Sequence, residues 1–166
     1  MAPRFLTAAI PVAIVCVACD PAGTTDGGAW STTIGGKPFT LTVSASDATR
    51  TRGLSGVPAI ADDGGMVFVF PDSQMRGFWM VDCIVDMDIV YLDPLGYVTA
   101  IHTMRKEAPQ RQGEPRGAYE ARLPRYSSVL PAQYAIELRA GRAAELGLRT
   151  SQKVTLDTAA LKAALR

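Results

Sequence analysis

The sequence predicts a mainly β fold of the β-rich α+β kind, a single domain with short helices. Three observations predict it. Short apolar runs separated by Gly and Pro recur roughly every 10 to 15 residues from Trp30 onward. The runs are rich in Val, Ile, Phe and Tyr and too short for helices. A chain of 166 residues that is 48% hydrophobic builds one core and leaves little room for a second.

Each element follows from local chemistry. Trp30 to Ile34 and Phe39 to Val43 flank Gly35-Gly36, a pair that tolerates the backbone angles of a tight hairpin turn. Ser46 can cap a short helix over Asp47 to Arg52, which Gly53 stops. Asp63-Gly64-Gly65 turns into a strand from Met66 to Phe70, ended by Pro71. Phe78 to Asp93 carries two strands or one bent strand, with Cys83 to Tyr91 extended. Asp93-Pro94-Leu95-Gly96 is a turn into a strand from Tyr97 to Met104. Residues 105 to 125, rich in Arg, Glu, Pro and Gly, read as a long loop. Strands over Tyr134 to Leu138 and Val154 to Leu156, a short helix over Arg142 to Leu146, and a terminal helix from Ala159, capped by Thr158, complete the chain.

The N-terminus reads as an address. Arg4 precedes an uncharged apolar run from Phe5 to Ala18, a signal-peptide layout too short, and interrupted by Pro11, for a permanent membrane span. Ala18 before Cys19 resembles a bacterial lipoprotein junction, in which Cys19 is acylated and becomes the new N-terminus. Cleavage takes away Arg4, one of 17 Lys and Arg residues, and so balances them against the 16 Asp and Glu. The expected division is a signal peptide over 1–18, a flexible leash over 19–33, the β domain over 34–158 and a C-terminal helix over 159–166. The expected location is the periplasm or cell surface, on a lipid anchor in the membrane.

Composition narrows the chemistry. A net charge of +1 gives no field for attracting phosphates, so a nucleic-acid partner is not expected. One His and three Cys, two of them in the leader region, cannot build a four-ligand zinc site, and a Ser-His-Asp enzyme would have only His102 as its base. Phosphate-binding glycine loops and nucleophile elbows are absent.

In an extended Cys83 to Tyr91 segment, Asp86 and Asp88 would share one face. Such a pair can bind Ca²⁺, hold sugar hydroxyls, act as an acid/base couple, or simply pair with arginines of the 105–125 loop. Phe78-Trp79-Met80 beside the acids is either core or an aromatic platform for a sugar or another amphipathic ligand. His102 reads as a hydrogen-bonded structural residue. Cys83 is read as buried and inert, or as part of a soft copper(I) set with nearby Met residues, although no Met-x-x-Met or Cys-x-x-Cys spacing supports the latter.

Several segments together resemble one family. They are Arg52-Gly53-Leu54, Gly65 to Phe70, Phe78-Trp79-Met80, Asp88 to Asp93, Ile101-His102, Tyr126-Ser127-Ser128 and Pro131 to Leu138 followed by Ala140-Gly141. In this order and spacing the chain is similar to the DUF192 (UPF0127) proteins over about residues 38 to 156. That resemblance implies a compact, mostly β, barrel-like domain and brings no established activity. Where the family usually carries Lys-Asn-Thr and then Pro, this chain has Val81-Asp82-Cys83 and Asp86, a more acidic surface.

The expected function is therefore a cell-envelope lipoprotein whose domain is a non-enzymatic module without cofactor or metal. Its unassigned partner would be a small molecule, a glycan or an envelope protein. The expected site gathers Trp79, Asp86, Asp88 and His102, with Arg105 and Arg122 as anion contacts. The alternative is a small hydrolase, carbohydrate-active for instance, joining Asp86 or Asp88 to Glu137 across a cleft.

Overall fold

Strands β1 (Ala29–Ile34) and β2 (Lys37–Ser44) pair antiparallel around Gly35 and Gly36, both of which sit at positive φ. The computed structural model describes residues 24–165, so the expected signal peptide, Cys19 and the start of the expected leash lie outside the described residues. Residues from Ala29 onward, which the expected leash over 19–33 would include, belong to β1. Helix α1 (Asp47–Arg52) begins on Ser46, whose hydroxyl accepts from the Thr49 N–H while the Thr49 side chain returns to the Ser46 N–H. Gly53, at positive φ, ends it and donates to the Thr49 carbonyl.

Strand β3 (Met66–Gln74) runs parallel to β2, and the intervening residues make the crossover that a parallel pair requires. Pro71 does not end this strand. Its pairing partner jumps from Val69↔Tyr134 to Gln74↔Ala132, so the proline, which has no N–H to give, sits in an irregular stretch of the ladder. Strands β4 (Gly77–Phe78) and β7 (Tyr126–Ser127) form a small separate sheet. Strand β5 (Met87–Leu92) begins later than the sequence suggests. Residues 83–86 are not strand, because Cys83 turns back on the Met80 carbonyl and Asp82 takes positive φ.

Strand β6 (Val98–Met104) pairs with β5, and the long loop after it contains helix α2 (Arg116–Ala121). Strand β8 (Ala132–Arg139) inserts between β3 and β5 and gives the order β1-β2-β3-β8-β5-β6. The chain closes with α3 (Arg142–Glu145) and α4 (Thr158–Ala163), the latter capped by Asp157 and not by Thr158. Val154 to Leu156 forms no strand; only Lys153 makes a bridge, to Tyr97.

The main sheet is open, so the barrel-like expectation gives way to a mainly β fold with a six-stranded open sheet between two cores. On one face Phe39, Val90, Ile136 and Leu138 pack under α3, α4 and the segment before it. On the other, Phe68, Ile89, Tyr91 and Ala135 pack beneath Leu54, Phe78, Met80 and Tyr126. Every residue of β5 and all but Arg139 of β8 are buried, so this adjacent pair is covered on both faces.

Candidate functional site

Alternation along β8 decides what lies beneath the second face. Tyr134, Ile136 and Leu138 enter the first core, so Ala135 and Glu137 point the other way. Glu137 pairs in register with Ile89 of β5 and Met66 of β3, both on that face. It is only 4% exposed, and its Oε2 atom is buried without a hydrogen-bond partner. An unsatisfied polar atom this deep is costly. Burial pushes the carboxyl up to about 8, and the Leu54 backbone N–H, which favours the ionised form, offsets only part of that rise. At neutral pH Glu137 is mainly a carboxylic acid and can donate a hydrogen bond.

Glu137 lines a cleft of about 370 Å³ between the crossover and β4. One wall is the end of α1 with Gly53, Leu54 and Ser55; the other is Phe70, Arg76, Phe78 and Trp79. Phe78 stands edge-on to Phe68 at 4.8 Å between ring centroids and to Tyr91 at 5.6 Å. Phe70 lies between two guanidinium groups, Arg76 at 4.0 Å and Arg50 at 5.4 Å from its ring centroid. Arg50 also donates to the Val69 carbonyl at 2.8 Å and to that of Ala45, and it pairs with Asp47 at 2.7 Å. Arg76 is held by Asp72 and by the Ala132 carbonyl. Arg52 has no ion-pair partner among the described residues.

Cys83 also faces this cleft. Burial, then the charge of Glu137, pushes its thiol up to about 11, and the same two causes raise the Tyr91 phenol. The second cause acts only where Glu137 is ionised. Cys83 is therefore a poor nucleophile, as a buried thiol should be.

The residues expected to form one site are dispersed. Trp79 does line the cleft, with Arg125 stacked over its ring at 3.3 Å. Asp86 pairs with Arg105 at 2.8 Å and accepts the Lys106 N–H at 2.8 Å; that N–H and then the guanidinium hold its carboxyl below the usual range. Asp88 is buried on the opposite face of the sheet, where it accepts from the Thr103 hydroxyl at 2.7 Å and from the Ala143 N–H of α3 at 2.9 Å. It joins β5 to a helix and lies outside the cleft that Glu137 lines.

His102 packs between Tyr91 and Tyr126, and its Nε2–H donates to the Ser127 carbonyl at 2.7 Å, tying β6 to β7. Arg122 buckles the long loop by binding Glu114 and the carbonyls of Ala108 and Pro109. The shared face of Asp86 and Asp88 thus dissolves, since only Asp88 belongs to the strand. What the sequence reading missed is the cleft formed by Arg50, Arg52, Phe70 and Arg76 around Glu137. The available signal was an acid within the apolar strand read over Tyr134 to Leu138. No group of three or more His, Cys, Asp or Glu able to hold a metal ion occurs among the described residues.

Comparison with known proteins identifies the frame. The family profile DUF192, described as Uncharacterized ACR, matches residues 30–156. A protein of unknown function from Novosphingobium aromaticivorans DSM 12444 is similar in structure, with a TM-score of 0.60 and 22% identity, covering 76% of this chain and 81% of that one. A proposed transcription regulator from Sinorhizobium meliloti 1021 has a TM-score of 0.58 and 22% identity, covering 72% of this chain and 82% of that one. At that identity both speak for the fold alone. No curated protein matches.

Proposed function

We propose, from the premise that the chain belongs to the DUF192 family, that it is a non-enzymatic binding module taking a small amphipathic ligand into the Glu137 cleft. One observation carries this reading: a buried carboxyl group with a free oxygen lines a cleft walled by aromatic rings and arginines. The hydrolase alternative has less support. It needs two converging carboxyl groups, and Asp88 lies across the sheet from Glu137 while Asp86 is engaged by Arg105 and Lys106.

Tryptophan fluorescence tests the site. The chain has two Trp, and Trp30 is buried in the opposite core, so Trp30→Phe leaves Trp79 as a lone reporter. Titration with a panel of small aromatic and aliphatic fragments should give a saturable change for some, lost on Glu137→Leu in a folded variant. Fragments that bind with no effect on Trp79 would place the site elsewhere.

We further propose that the module works in the cell envelope on a lipid anchor, as the Arg4 to Cys19 segment suggests. The intact mass of protein extracted from membranes should correspond to a chain beginning at an acylated Cys19. A soluble chain that retains residues 1–18 would refute the anchor.

A further inference from the structure

We propose that the Glu137 cleft recognises a small carboxylate with an aromatic or aliphatic body, held between the Glu137 carboxyl beneath and the arginines at its rim. This deepens, and rests on, the reading of the cleft as the binding site. The ligand's charge is argued from both ends of the cleft. At the floor, Oε2 of Glu137 has no partner in the protein. A protonated acid there offers a proton, and a carboxylate, which only accepts, complements it. Two ionised carboxylates in the same place would repel, so one proton must be shared between them.

At the rim, a cation would face Arg50, Arg52 and Arg76, of which Arg50 is paired with Asp47 and Arg76 with Asp72, while Arg52 has no acidic partner among the described residues. A carboxylate turns the same charges into attraction. The body of the ligand has Phe78 and Trp79 to lie against, in a space of about 370 Å³, near the lower end of the range for ligand pockets.

A pH dependence follows. The titratable groups that face Glu137 from the packed elements are Tyr91 on β5 and Cys83 before it, with the charged Asp47, Arg50 and Arg52 at the α1 side and Arg76, paired with Asp72, between β3 and β4. Between pH 7 and 9 the Cys83 thiol, at about 11, and the raised Tyr91 phenol keep their protons, whereas Glu137, at about 8, gives up its own. Carboxylate binding should therefore weaken about tenfold from pH 7 to pH 9.

Calorimetric titration of the full chain with phenylacetate, phenylacetamide and phenethylamine tests this, because the three share one body and differ in charge. Phenylacetate should bind tightest at pH 7, lose about tenfold at pH 9 and do so with proton uptake. Phenethylamine should bind weakest. Glu137→Gln, which keeps a donor but cannot titrate, should bind phenylacetate equally at both pH values. If Trp79→Ala weakens all three probes, yet phenethylamine binds tightest or phenylacetate is insensitive to pH, the ligand class is wrong and the site stands. If phenylacetate does not bind at pH 7, the ligand class is likewise wrong. Probes that bind unaffected by both Glu137→Gln and Trp79→Ala would overturn the site and the ligand class together.

Discussion

Glu137→Gln should make the protein more stable by roughly 5 kcal/mol at pH above 8 and leave it nearly unchanged at pH 4.5. The folded protein holds the Glu137 proton up to about pH 8, whereas an unfolded chain releases it near 4.5. Between these values folding takes up a proton. The stabilisation is fully present below 4.5 and is lost at about 1.4 kcal/mol per pH unit as pH rises through about 8. Glutamine has the shape of the protonated acid and nothing to release, so it escapes the loss.

At the acid end Asp26 works in the opposite direction. Burial pushes its carboxyl up, but the Ala45 N–H and contacts with Ser46 and Thr49 outweigh this and bring it down to about 2, so its contribution fades as pH falls below 3.8. The parent should thus be most stable in mildly acidic solution. Urea denaturation at pH 3, 5, 7 and 9 checks both statements. Parallel stability curves for parent and variant would mean that Glu137 is hydrated in the folded state.

Gly65→Ala should abolish the fold, or cost at least about 4 kcal/mol where some folded protein survives. Gly65 sits at φ 143°, and a Cβ there would lie 2.1 Å from the carbonyl oxygen of Glu137. That oxygen belongs to the backbone of the central strand and cannot step aside without dragging the β3–β8 ladder with it. The Gly65 carbonyl also accepts from the Thr42 N–H at 3.0 Å, so a shift would loosen β2 as well. Gly117→Ala, in open space on α2, is the matched control and should be neutral or slightly stabilising. Soluble yield and circular dichroism of the two variants give the comparison, and a folded Gly65→Ala protein of parental stability would show that β8 yields easily.

Features set by neighbouring residues were legible in the sequence. The hairpin at Gly35-Gly36 and the Ser46 cap with its Gly53 stop depend on a few adjacent residues, and both occur where the chain pattern puts them. The family resemblance likewise holds. Features set by distant partners were not legible. Asp82 turns the chain because the Tyr119 hydroxyl, contributed by α2, accepts its N–H at 2.9 Å, and this turn separates Asp86 from Asp88. Asp88 is claimed by the N–H of Ala143, far along the chain. Glu137 was visible as an acid within an apolar strand, but its burial depends on Leu54, Cys83 and Phe78 closing over the second face. The segments around Arg52, Phe78 and Glu137 that carried the resemblance are the ones that meet at the cleft.

The parallel pairing of β2 with β3 has a consequence for how such a protein can diversify. The chain must leave the sheet after Ser44 and return at Met66, and the excursion between them covers one side of the Glu137 cleft. Lengthening or shortening that excursion leaves every rung between strands in place, and its entropic penalty grows only slowly with length. The cover of the cleft can thus change while its floor, with Glu137 held in the β3–β8–β5 ladder, stays in place.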